Sequence, residues 1–460
     1  MVQFDEQKGN DGGRLYYDGC AMIWVNGELV AQGSQFEGLD EVEVIVATVS
    51  FGDVRSFRAN FNARSQQASS AARIPRIDVD FALADCGFAD APSPPRAPRI
   101  HTPMEEIALG PSGWLWDYIR RSGMRGYFLP LSGGADSSST ATLVAIMCQR
   151  VLAELEKGCA RSRDQVLRDV RKITKRPGYT PTDWRDLCGK IFVSCYMASR
   201  YSGDETRERA RLLAEQIGAT HTSILIDDMT DAIQKTFEQV QVHAAHLDKG
   251  TMRFAPQMKG GAHIECIALQ NIQARSRMVM AYFMAQLMPW ASDGDQTTAG
   301  GSLLVLGSAN VDEALRGYYT KYDCSAADIN PIGGINKRDL KSFLEWAAEH
   351  RGIGVLARVA AAAPSAELTG AEGAQLDEED MGMSYAELGD LGHCRKVEHC
   401  GPYTTFLKLR KRWDDGRRIT PSIRQVSSKS HPSLVQVSSK SHPSLIQVSS
   451  KSHPSLVHPF

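Results

Sequence analysis

Between residues 100 and 424 short apolar runs alternate with longer segments of helical periodicity. Tyr127-Phe128-Leu129-Pro130-Leu131, Ile191 to Cys195, Ser223 to Ile226 and Leu303 to Leu306 each read as a buried strand. The segments between them read as helices. One opens on the capping box Ser202-x-x-Glu205 and closes at Gly218. Near-continuous apolar strands separated by helices predict an α/β fold built on a doubly wound parallel sheet, covered on both faces.

The ends of the chain are patterned differently. Residues 1 to about 85 read as β-rich: Ala21 to Val25 leads through Asn26-Gly27 into Leu29 to Ala31 as a hairpin, and Val42 to Val49 reads as a further strand. The run Ala91-Pro92-Ser93-Pro94-Pro95-Arg96-Ala97-Pro98 can continue neither a helix nor a central strand, so it marks a domain boundary. At the other end, Gln-Val-Ser-Ser-Lys-Ser-His-Pro-Ser-Leu begins at Gln425 and recurs, with Ile replacing Val only outside that core, at Gln436 and Gln447. A repeat so rich in serine, and so poor in apolar groups, is expected to be a disordered tail. Its His431, His442 and His453 recur by duplication and need no metal to explain them. The chain thus divides into 1–90, a proline-rich link 91–99, a large domain 100–424 and a low-complexity tail 425–460.

Composition narrows the function classes. A chain of 460 residues suggests two or three domains, and 42% hydrophobic with 23% charged residues is a globular balance. The net charge of −2 supplies no field for nucleic acid or anionic lipid. Met278 to Met288 is interrupted by Gln286 and too short to span a bilayer, and the N-terminus has no apolar signal core. The ten cysteines form no CxxC pair, which argues against a zinc ribbon and a disulfide scaffold. A cytoplasmic protein without nucleic-acid or membrane partners is expected.

The sharpest chemical signal is Leu131-Ser132-Gly133-Gly134-Ala135-Asp136-Ser137-Ser138, after a strand and opening an apolar helix. Glycines admit close approach of a ligand to the backbone, and helix N-terminal amides favour an anion there. The serines add hydroxyl donors, and Asp136 is able to hold Mg²⁺ against phosphate oxygens. No Gly-Lys-Ser/Thr is present, so this is not the common ATPase loop.

These residues resemble the Ser-Gly-Gly-x-Asp-Ser pyrophosphate loop of the N-type ATP pyrophosphatases, adenine nucleotide alpha hydrolase-like proteins that split ATP to AMP and pyrophosphate. The loop alone leaves NAD, GMP, asparagine and argininosuccinate synthetases open. Leu269-Gln270-Asn271-Ile272-Gln273-Ala274-Arg275-Ser276-Arg277 resembles the NAD synthetase helix that contacts the dinucleotide, and Gly307-Ser308 through Glu313 resembles its Gly-Thr/Ser-x-x-x-x-Glu segment. The stretch Gly317 to Pro331 is similar to the one whose Lys and Asp, here Lys321 and Asp328, bind deamido-NAD. Lys337 and Ser365 fall where the family has ATP contacts. The resemblance implies a ligase forming a C–N bond. Deamido-NAD is adenylated by ATP, and ammonia, or glutamine as its source, displaces AMP. It assigns Ser132 and Asp136 to catalysis and Asp136 and Glu313 to Mg²⁺. Pro130 to Ser138, Asn271, Arg275, Ser308, Glu313, Lys321, Asp328, Lys337 and Ser365 would bind nucleotide and substrate.

Residues 1 to about 85 resemble the C-terminal half of the nitrilase-type glutaminase domain of glutamine-dependent NAD synthetases, a partial α/β sandwich. The family's catalytic Glu, Lys and Cys lie upstream of the matching run, so Cys20 is expected to be a buried strand residue rather than a nucleophile, and ammonia the nitrogen donor. The family's C-terminal His-Lys pair has no counterpart here, and Cys266 stands where the family usually has Asn. Relatives assemble, so a homo-oligomer is expected. The alternatives are a catalytically impaired remnant that binds nucleotide or a full-length partner, and another amidotransferase of the superfamily.

Overall fold

The computed structural model describes residues 2–3, 9–11, 15–36, 39, 43–80, 91–241, 254–258, 261–292, 301–362 and 377–413. Val42, Ser365 and the repeats from 425 onward lie outside the described residues. The chain divides into two compact units, 1–392 and 393–460.

The first unit begins with small antiparallel pairings. Strand β1 (Val2–Gln3) pairs with β4 (Met22–Val25), β4 with β5 (Glu28–Gln32), and β2 (Gly9–Asp11) with β3 (Leu15–Tyr17). Asn26 and Gly27 turn the β4–β5 hairpin with φ of 51° and 87°, the two left-handed residues that an Asn-Gly turn supplies. Cys20 is not on a strand. It takes φ 62° in the bend ahead of β4, half-buried, with the Gln32 amide donating to its sulfur at 3.3 Å.

The strand expected over 42–49 is absent from its described part: residues 43–50 run as irregular chain, with Val44 and Val46 77% and 82% exposed. Apolar alternation becomes a strand only where a neighbour receives its backbone hydrogen bonds, and among the described strands none pairs with this segment. Two helices follow instead, α1 (Phe51–Ala59) and α2 (Asn62–Ser70), of which α1 buries no residue. Residues 1–85 are therefore not uniformly β.

The expected sheet is present. The run expected as a buried strand over 223–226, however, is the end of a strand over 220–225 at the sheet edge, where among the described strands only one neighbour covers it and Leu225 is 67% exposed. Strands β6 (Tyr127–Pro130), β7 (Phe192–Ala198), β8 (Thr220–Leu225) and β9 (Leu304–Val305) lie in the order β8-β7-β6-β9, all parallel. Tyr127 stands opposite both Phe192 and Leu304, so β6 is central, and its Tyr127, Phe128 and Leu129 are fully buried.

Helices cover both faces. On one face lie α3 (Pro103–Ser122), α4 (Ala135–Lys157), α5 (Ala160–Thr174), α6 (Trp184–Ile191) and α7 (Asp204–Ile217), joined by α11 (Lys337–His350) and α12 (Val355–Ala361) around Leu143, Ile146, Met147 and Phe343. On the other, α9 (His263–Ser292) brings Met278, Ala281 and Ala285 against Phe128, Val193 and Val305; α8 (Asp227–Glu238) adjoins it. Helix α4 runs through the middle of its layer and is buried on every side from Ser137 to Cys148, with small Ser and Thr residues ahead of its apolar stretch. The shorter α10 (Val311–Arg316), α13 (Asp377–Met381) and α14 (Tyr385–Lys396) follow β9, and α15 (Pro402–Trp413) lies in the second unit. Among the described residues no helix is long and apolar enough to cross a membrane.

Two caps differ from expectation. Helix α7 starts at Asp204 with Gly203 as its N-cap, because the Ser202 hydroxyl is already used within the preceding turn, accepting from the Ser199 amide at 3.0 Å. The complete capping box is at α3, where Thr102 and Glu105 satisfy each other's backbone amides.

Candidate active site

The loop from β6 to α4 carries residues 131–134 across the carboxyl edge of the sheet, where open α/β sheets bind ligands. Gly133 takes φ 77°, and a Cβ there would run into the Thr206 carbonyl, so only glycine fits. Arg209 Nε donates to the Gly133 carbonyl at 3.1 Å, and the Leu131 amide to Cys195 at 2.9 Å, which ties the loop to its neighbours on both sides. Inside it, the Ser132 and Ser137 hydroxyls lie 2.9 Å apart and the Gly134 amide donates to Ser132 Oγ at 3.3 Å. Ser138 Oγ is fully buried and has no hydrogen-bond partner among the described residues. Gly134 and Ala135 open α4, whose positive end therefore faces the loop.

Beside the loop lies a cleft of about 240 Å³, lined among others by Pro130, Leu131, Ser132, Tyr196, Arg277 and Ser308. Arg277 is turned inward: its Nε donates to the Met197 carbonyl at the end of β7, at 3.0 Å.

Behind the loop a charged cluster gathers residues far apart in the chain. Asn310, fully buried, caps α10 by accepting from the amides of Asp312 and Glu313, each at 3.0 Å. Its amide nitrogen donates to Asp136 at 3.0 Å and to Glu313 at 2.8 Å. The Lys337 ammonium, only 5% exposed, pairs with the other oxygen of Asp136, and the Lys337 backbone amide donates to Asp312 at 2.9 Å. Tyr385 lays its ring 5.3 Å from the ammonium, and its hydroxyl donates to Asp377 at 3.2 Å.

Protonation follows from this crowding. Burial, and then the nearby Asp136 charge, push the Glu313 carboxyl up to about 8. Burial also raises Asp312. For Lys337 burial alone would favour the neutral amine, but Asp136 and Glu313 outweigh it and the group stays above its ordinary value. Asp136, Asp377 and, once ionised, Glu313 thus bear on one ammonium, and the site is short of positive charge.

The sequence-predicted residues separate into three groups. Pro130 to Ser138, Ser308, Glu313 and Lys337 come together around the loop, its cleft and the charged cluster. Asn271, Arg275 and Lys321 form a second group on α9 and the loop facing it. Asn271 accepts from the Thr320 hydroxyl at 2.6 Å, and Arg275 Nε donates to the Lys321 carbonyl at 2.9 Å. Asp328 stands apart from both: its oxygens accept from the Val305 amide at 2.8 Å and the Tyr282 hydroxyl at 3.0 Å, fastening the 323–330 segment to β9. Ser365 is outside the described residues.

Asn310, Asp377 and Tyr385 were not singled out from the sequence. Only Asn310 carried a local signal, as a good helix N-cap just before Val311.

A model of the NAD synthase family matches residues 111–400, which include every element of this site. The chain belongs to the NAD synthase family. It is 50% identical over 428 residues to the glutamine-dependent NAD(+) synthetase of Bos taurus and 50% identical over 432 residues to that of Homo sapiens. The Saccharomyces cerevisiae protein of the same name is 48% identical over 434 residues. These alignments take in 92–93% of the chain but only 57–58% of each relative, so it spans a little over half the length of the synthetases it matches. A crystal structure of a glutamine-dependent NAD(+) synthetase from Cytophaga hutchinsonii shares the fold, with a TM-score of 0.59 at 22% identity, over 88% of this chain and 53% of that one.

Proposed function

We propose that this chain is an NAD synthetase, a ligase that converts deamido-NAD, ATP and ammonia to NAD, AMP and pyrophosphate. The observation that carries the reading is the Ser132–Ser138 loop at the start of α4 with Asp136, Glu313 and Lys337 gathered behind it. The nicotinate carboxylate oxygen attacks the α-phosphorus of ATP, and the bond to the pyrophosphate oxygen breaks. Ammonia then attacks the acyl carbon, AMP leaves with the C–O bonding pair, and one proton is released.

The loop hydroxyls and the α4 terminus hold the leaving pyrophosphate in line, and Lys337 neutralises the charge it develops. Adenosine sits in the cleft beside Ser308. Asn271, Arg275 and Lys321 contact the dinucleotide, whereas Asp328 supports them through the backbone it fastens.

The donor set suits Mg²⁺: Asp136 and Glu313 are hard oxygen ligands in a place short of positive charge. Such a pair would hold the ion together with phosphate oxygens and water. Bound there, the ion would neutralise phosphate charge. Cys20, whose sulfur accepts from the Gln32 amide, takes no part in this reading, in which ammonia is the nitrogen donor. Association into homo-oligomers and a cytoplasmic location accompany this reading.

The test is NAD formation from deamido-NAD and Mg-ATP with ammonium or glutamine, followed together with pyrophosphate release. Turnover is expected with ammonium. Pyrophosphate release independent of deamido-NAD would refute the substrate assignment, and vigorous glutamine use would refute the inert role of Cys20.

A further inference from the structure

Lys337 has two demands on it that conflict. As found, its ammonium neutralises Asp136. On the reading proposed above, Asp136 is needed by the cation and Lys337 by phosphate, so the pair must part when Mg-ATP enters. An ammonium 95% removed from solvent cannot drift without a partner, since its desolvation would then be uncompensated.

The structure assigns Tyr385 and Asp377 as positioning residues that hold the Lys337 ammonium while it exchanges Asp136 for a phosphate oxygen. The Tyr385 ring centre is 5.3 Å from Lys337 Nζ, within the range of cation–π attraction, and Tyr385 is only 6% exposed, so water does not weaken it. The Tyr385 hydroxyl donates to Asp377 at 3.2 Å. A phenol that donates to a carboxylate has a more electron-rich ring, so Asp377 strengthens the hold of Tyr385 on the cation.

The platform is itself fixed. Tyr385's amide donates to Glu378 at 2.9 Å, Met381 and Leu388 pack with Tyr385 in a small apolar cluster, and the Met381 carbonyl accepts from Arg316 Nε and Nη2 at 3.4 and 3.3 Å. Arg316 closes α10, the helix that carries Glu313. The 377–385 segment and the acidic helix are therefore one assembly, with the aromatic face aimed at the lysine.

Calorimetric titration with a non-hydrolysable ATP analogue plus Mg²⁺, and separately with adenosine, tests the assignment in the full chain. Tyr385→Leu is expected to weaken the analogue at least about 10-fold and adenosine less than 2-fold, because only the phosphates meet Lys337. Tyr385→Phe keeps the ring and loses the tie to Asp377, so an intermediate loss of about 2–5-fold is expected. Equal weakening of analogue and adenosine in Tyr385→Leu would mean a merely structural role and overturn the proposal. So would unchanged analogue binding, or Tyr385→Phe behaving like Tyr385→Leu. Binding is read without turnover, so absence of NAD formation by the wild-type chain would refute the proposed function and leave this test standing.

Discussion

Replacing Lys337 by Met keeps most of the side-chain volume and removes the charge on which Asp136 depends. Asp136 is 16% exposed and Lys337 5%, so bulk water can compensate little of the loss. Removing one member of a buried pair typically costs about 3–5 kcal/mol, because the survivor stays buried and charged. Asn310 still donates to Asp136, which sets the expectation near the lower end, at about 3 kcal/mol. In urea, that is a fall in midpoint on the order of 1 M. The deficit should change little between 0.05 and about 0.5 M salt, since ions do not reach the pair. Adding Asp136→Asn removes the stranded charge, so the double variant should regain about 2 kcal/mol of the loss. Denaturation of the wild type, both single variants and the double variant gives the coupling directly. Additive losses, with no recovery in the double variant, would refute the reasoning, as would a Lys337→Met deficit below about 1 kcal/mol.

Two further outcomes follow from the same geometry. Glu313 titrates near 8 in the folded chain against an ordinary 4.5, a difference of roughly 5 kcal/mol at full ionisation and an upper bound for a coupled group. A carboxyl with a raised folded value leaves the native state intact below 4.5 and destabilises it progressively up to about 8, so in EDTA Glu313→Gln should gain on the wild type as pH rises from 5 to 9; a melting-temperature difference constant over that range would contradict it. Gly133→Ala places a methyl against the Thr206 carbonyl at φ 77° and should cost about 2–4 kcal/mol in thermal denaturation with loss of analogue binding, whereas unaltered binding would show that the loop tolerates a side chain there.

Much of the sheet was legible because β6 and β7 are buried, whereas the edge strand β8 leaves Ser223 and Leu225 exposed. Tyr127–Pro130 and Phe192–Ala198 need no partner-specific alternation, only apolar residues and strand-breaking ends. The Ser132–Ser138 loop was legible because its pattern is local: glycine at 133 and the start of α4 lie within three residues. Val44 and Val46 misled because their alternation says nothing about whether an edge is available to pair with. The charged cluster was only half legible. Asp136 meets Asn310 across 174 positions and Lys337 across 201, and no spacing rule predicts a side-chain contact at that distance. The resemblance supplied Asp136, Glu313 and Lys337 as separate residues; Asn310, which bridges the two acids, had to come from the fold.

That bridge explains why the cluster can exist at all. Two carboxylates set side by side and buried are costly, and burial first, then the Asp136 charge, raise the Glu313 carboxyl. Asn310 Nδ2 donates to both, while its Oδ1 takes the first free amides of α10 and so fixes which way that helix, and Glu313 with it, points. An aspartate in its place could cap α10 equally well but would bring a further negative charge and no donor. A serine could cap but could not reach out in two directions. Asparagine is the side chain that closes a helix start and bridges two acids at once. The residue that looked like ordinary helix punctuation therefore determines the separation of the two carboxylates on which cation binding would depend.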